Sequence, residues 1–94
     1  MHTIRQQLDD VDHQLLTLLL QRQGLVEQIG AIKQQSQAPV VQPERAAQVF
    51  EARRAWAQAM GLNPDFVEAL WHVIHTESCR VQQNVIDRLN QQAG

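Results

Sequence analysis

The chain has 94 residues, 44% of them apolar and 19% charged, with a formal net charge of −2. That length holds a single domain, residues 1–94, and the weakly negative balance excludes the basic surface that nucleic acid or an anionic membrane would require. One cysteine, Cys79, excludes an internal disulfide.

The N-terminal Met1-His2-Thr3-Ile4-Arg5 lacks the apolar run of a signal peptide, and no stretch is long enough to span a bilayer, so a cytoplasmic protein is expected. Apolar residues then recur at Ile4, Leu8, Val11, Leu15, Leu18, Leu25, Ile29 and Ile32, alternating steps of four and three. This is the seam of a coiled-coil-like helix. Thr3 can cap its start and no proline interrupts it before Pro39, so one helix is predicted from about residue 4 to about residue 35, roughly 48 Å long. A compact domain of this size has a radius of gyration of roughly 12–13 Å. Two shorter helices cannot cover such a seam, and part of it is expected to pack against another chain.

A connector, Gln37-Ala38-Pro39-Val40-Val41-Gln42, leads to Pro43, which suits the first position of a second helix. That helix uses Val49, Phe50, Trp56, Ala57 and Met60, and Gly61 is placed to end it. Asn63-Pro64-Asp65 supplies a cap, a first-turn proline and an acid at the positive helix end. The third helix carries Val67, Leu70, Trp71, Ile74, Val81, Val85 and Leu89 at helical spacing. Nothing alternates with a period of two, so the fold class is all-α.

The informative residues are the polar ones that interrupt these stripes. Arg22 fills the seam slot between Leu18 and Leu25, where a buried guanidinium costs several kcal/mol unless an anion meets it. Lys33 follows 11 residues later, about 20° around the helix and roughly 16 Å along it. Together they can grip the two ends of a small dianion, or else Arg22 pairs with a partner glutamate and Lys33 is solvated. Arg5 lies roughly 25 Å from Arg22, too far to touch the same small ligand within one chain. An antiparallel partner brings its own Arg5 towards Arg22. Ser78 and Gln82 break the third stripe one turn apart, and a buried glutamine amide demands partners. Arg45, one turn into the second helix, joins this group or is a surface cation. His72, His75 and Cys79 fall at i, i+3 and i+7, but three ligands without a fourth make a weak zinc signal, and no metal is expected. Arg53, Arg54 and Trp56 are too few for a nucleic-acid surface.

The set Ile4-Arg5, Asp9, Val11-Asp12, Leu15-Leu16, Leu18-Leu19, Arg22, Val26, Ile29-Gly30 and Lys33 resembles the first helix of AroQ-class chorismate mutases. The resemblance continues through Pro39-Val40, Pro43-Glu44-Arg45, Gly61-Leu62, Val67-Glu68, Ser78 and Gln82. It implies three helices per chain, an intertwined helical homodimer with two equivalent sites shared between chains, and no cofactor. It also implies that Arg22, Arg45 and Ser78 of one chain, with Arg5 of the other, bind a dicarboxylate, while Lys33 and Gln82 address the ether oxygen that breaks. The reaction so implied is the Claisen rearrangement of chorismate to prephenate, part of aromatic amino acid biosynthesis.

One position departs from the family. A glutamate usually follows the arginine of the second helix, and here that residue is Ala46. The departure points towards isochorismate-pyruvate lyases and 4-amino-4-deoxychorismate mutases, and the run Thr76-Glu77-Ser78-Cys79-Arg80-Val81 also resembles the latter. Ser78 and Gln82 favour chorismate. A helical dimerisation or regulatory module without catalysis would keep the same seam.

Overall fold

The computed structural model describes residues 3–93; positions 1, 2 and 94 of the expected domain lie outside the described residues. Three helices make up the fold: α1 (Ile4–Ser36), α2 (Pro43–Met60) and α3 (Pro64–Ala93). Their boundaries follow local chemistry. Thr3 and Gln6 form a reciprocal capping box, the Gln6 amide donating to Thr3 Oγ1 at 3.2 Å and the Thr3 amide to Gln6 Oε1 at 2.9 Å. Gln37 closes α1 in the left-handed region, its amide bonded to the Lys33 carbonyl. Pro43 opens α2, and Gly61 ends it at φ +80°, a conformation a side chain would strain. Asn63 Oδ1 accepts the Asp65 amide at 3.0 Å and so caps α3.

α3 is the plate on which the other two helices rest, since α1 and α2 each pack against it and not against one another. The core is slight: Val26, Ala57, Val67, Val81 and Val85 are its buried apolar residues, and Ser78 and Gln82 are buried with them. The chain is elongated, 56 × 31 × 15 Å, with a radius of gyration of 16.5 Å. Among the described residues no helix is long and apolar enough to cross a membrane.

The contact between α1 and α3 meets the predicted seam at Arg22, which bonds to Ser78, and otherwise leaves its apolar positions aside. It uses an adjacent stripe in which Val26 and Gly30 are the buried residues of α1. The seam itself, Ile4 through Ile32, stays 43–82% exposed at its apolar positions. Gly30 explains the offset. A Cβ there would meet the Gln82 Cα at 3.1 Å, the Gln82 carbonyl at 3.2 Å and the Val85 Cβ at 3.2 Å, so only glycine lets the helices approach this closely. Gly24, one and a half turns earlier, has open space at the same point.

Opposite effects of alanine at the two glycines are therefore expected. Gly24→Ala should raise thermal stability by about 0.5–1 kcal/mol through helix propensity. Gly30→Ala gains the same term but overpacks the contact by about 1–3 kcal/mol, giving a net loss in a denaturant titration.

Candidate active site

Between α1, α2 and the connector lies a cavity of about 340 Å³ whose floor is α3. Its lining includes Arg22, Lys33, Arg45 and Arg53, with Gln42, Gln82 and His75 as neutral polar groups and no Asp or Glu. Arg22 and Lys33 enter from α1 because residues 22, 26, 29 and 33 fall on one helical face. Arg45, Ala46, Val49 and Arg53 do so from α2 at the same kind of spacing.

Two polar pairs hold the α1 cations against α3. Arg22 Nη1 donates to the Ser78 hydroxyl, which in turn donates to the Ile74 carbonyl at 2.8 Å. The serine thus bonds back to its own helix and also receives the arginine. Lys33 Nζ donates to Gln82 Oε1 at 2.7 Å and to the Val40 carbonyl at 2.8 Å. An ammonium has no acceptor, so this bond fixes the glutamine oxygen towards Lys33 and leaves both amide hydrogens for something else. None of these contacts carries negative charge. Among the described residues the ion pairs are Arg54–Asp65, Arg54–Glu68 and Arg80–Glu77, all away from the cavity cations.

The electrostatic consequence is uniform. Burial lowers the pKa of Arg22 and of Lys33, with Cys79 opposing the shift at Lys33. Arg53 is lowered by burial and then by the like charges of Arg22 and Arg45. Each group would be relieved by an anion in the cavity.

Of the predicted site residues, Arg22, Lys33, Arg45 and Gln82 line one cavity, and Ser78 touches it through Arg22. Arg5 does not join them; it is exposed in the first turn of α1, at the far end of the helix. The histidines are otherwise engaged: His72 stacks on Phe50 with ring centroids 4.0 Å apart, and His75 meets Phe50 edge-on and lies 3.6 Å from Cys79 Sγ. No three His, Cys, Asp or Glu side chains converge to hold a metal among the described residues. Arg53, weighed in the sequence only with Arg54 and Trp56 as too few for a nucleic-acid surface, is the further cation of this cavity. Its register with Gln42, Ala46 and Val49, in steps of four, three and four, was the available signal.

Residues 4–83 match the family model for chorismate mutase type II. The chain belongs to that family. It is 39% identical over 75 residues to the T-protein of Enterobacter agglomerans, covering 80% of this chain and 20% of that one. It is 35% identical over 83 residues to a 4-amino-4-deoxychorismate mutase of Streptomyces pristinaespiralis, covering 88% and 64%. An isochorismate pyruvate lyase of Pseudomonas aeruginosa is 34% identical over 73 residues, covering 77% and 71%. The chain thus spans less than two thirds of the length of the first two relatives, and the relatives are named for different activities.

A dianion in this type II cavity favours charged Lys33, so binding takes up a proton once Lys33 has lost its own. Affinity for a dicarboxylate should therefore fall, by up to about tenfold per pH unit, as pH rises through the lowered Lys33 pKa, that is, below the 10.5 of an ordinary lysine. Calorimetry in a Cys79→Ser background, which removes the neighbouring thiol, reads this directly, and Lys33→Arg should move the fall to higher pH.

Proposed function

We propose that the chain is a chorismate mutase that rearranges chorismate to prephenate in a homodimer, each cavity being closed by Arg5 of the partner. The observation that carries this reading is the convergence of four cations and the Gln82 amide on one small cavity with no lining acid. Its volume falls within the usual range for small-ligand pockets.

The residues suit the reaction. A Claisen rearrangement moves electrons around a six-membered array without proton transfer, so an enzyme helps by confinement and by preorganised charge. Arginines hold the two carboxylates and freeze a flexible substrate in a chair-like, near-attack shape. Lys33 and the free Gln82 amide hydrogens stand ready for the ether oxygen, which becomes more negative as its bond to carbon lengthens. Lys33 is already held by two hydrogen bonds and need not reorganise during the step.

The dimer follows from what one chain leaves undone. At 33 residues α1 is about 50 Å long, and its apolar seam is exposed along its whole length. A second copy of the same seam buries it and carries Arg5 from the far end of one helix towards the cavity of the other chain.

Ala46 supports a second reading. It lines the cavity where the family usually places a glutamate, which opens the site to relatives of chorismate. Relatives named for 4-amino-4-deoxychorismate mutase and for isochorismate pyruvate lyase match at similar identity, so a mutase acting on the amino analogue stands beside a lyase acting on isochorismate as the alternative.

With chorismate, isochorismate and 4-amino-4-deoxychorismate offered separately, chorismate should be turned over best, with prephenate as its product identified by mass spectrometry. Salicylate with pyruvate would instead assign the lyase activity. Lys33→Ala should lower turnover by about 10²–10³, the scale of a lost oxyanion donor; near-normal turnover would remove Lys33 from the mechanism. Leu15→Glu, placed in the exposed seam, should give a monomer in sedimentation and abolish activity with it.

A further inference from the structure

Arg53 has an environment unlike that of any other cation in the chain. Its guanidinium lies over two indoles, 4.4 Å from the Trp56 ring centroid and 5.5 Å from that of Trp71. These are the two tryptophans of the sequence. Arg53 Nε is buried without a hydrogen-bond partner, and so is Trp71 Nε1 beside it. An Nε–H without an acceptor, on a side chain that lines a cavity free of Asp and Glu, is a donor that an anion there would satisfy. No acid pairs with Arg53 among the described residues, and the side chain lines the cavity.

The order of contacts along α3 locates it further. Arg53 sits against Trp71, Arg22 bonds to Ser78 and Lys33 bonds to Gln82. At 1.5 Å per residue these anchors lie roughly 10 Å and then 6 Å apart, so Arg53 stands beyond Arg22, at the end opposite Lys33. The like charges felt by Arg53 are those of Arg22 and Arg45, in keeping with that position.

We propose that Arg53 is a substrate-binding arginine of this site, held by Trp56 and Trp71 so that it shares with Arg22 the carboxylate farthest from Lys33. This deepens the mutase reading and rests on it. Both indoles lie within about 6 Å of the guanidinium carbon and no acid pairs with it among the described residues, so its N–H donors are left to a carboxylate. Because that carboxylate is remote from the breaking bond, its grip is the same in ground and transition states. Arg53 therefore sets KM and affinity and leaves kcat nearly unchanged, whereas Lys33 sets kcat.

The test combines steady-state kinetics with tryptophan fluorescence, using a bicyclic ether dicarboxylate that mimics the transition state as the probe. In the wild type the probe draws the guanidinium against the indoles and changes their emission. Arg53→Met should bind the probe about ten- to hundredfold more weakly, raise KM by a similar factor and keep kcat within about threefold. Arg54→Met, which removes an exposed ion pair outside the cavity, should leave all three unchanged. Arg53→Lys keeps the charge and loses the fork, and carries the test should the methionine variant not fold: its KM must rise at least about threefold with kcat kept. Wild-type KM and affinity in a folded Arg53 variant overturn the proposal and leave the mutase reading standing, as does a variant whose only defect is loss of the dimer in sedimentation. A wild-type protein that neither binds the probe nor turns over any of the three substrates sinks both.

Discussion

Four cations share one cavity without a carboxylate among them, and the rest of the molecule is arranged around that uncompensated charge. Separating a charge from water inside protein costs several kcal/mol unless something neutralises it. Here neutral oxygens do part of the work: the Ser78 hydroxyl, the Gln82 amide and the Val40 carbonyl take hydrogen bonds from Arg22 and Lys33. They fix direction without removing charge. Burial lowers the pKa of Arg22, Lys33 and Arg53, a shift that an anion beside them opposes.

Holding such a site demands rigid helices and a close fit, and the fold supplies both with little core. α3 presents Ser78 and Gln82 at positions one turn apart, and Gly30 draws α1 close enough for Lys33 to reach the glutamine. The cavity opens because α1 and α2 do not pack on each other. Among the described residues five apolar side chains are buried, while the apolar seam of α1 stays exposed. In the dimer we propose, the association that completes the hydrophobic surface also delivers the last arginine.

The chain belongs to a family whose similar members are named for different reactions, and function lies in the site and not in the fold alone. Relatives at comparable identity are named for a mutase on an amino analogue and for a lyase.

Much of this was legible in the linear chain. Thr3, Pro43, Gly61 and Asn63 set the helix ends through local hydrogen bonds and backbone geometry, which do not need the rest of the fold. Periodicity marked the long seam, and polar residues standing in apolar slots singled out Arg22, Lys33, Ser78 and Gln82, since burying such groups is costly enough to show in the pattern. What only the tertiary structure decided was which stripe of α1 meets α3, because that depends on the close approach at Gly30 and not on hydrophobic spacing. It also decided the place of Arg53. Its register with Gln42, Ala46 and Val49 gives only the helix face, whereas the two indoles beside it come from different helices, brought together by the packing of α2 on α3.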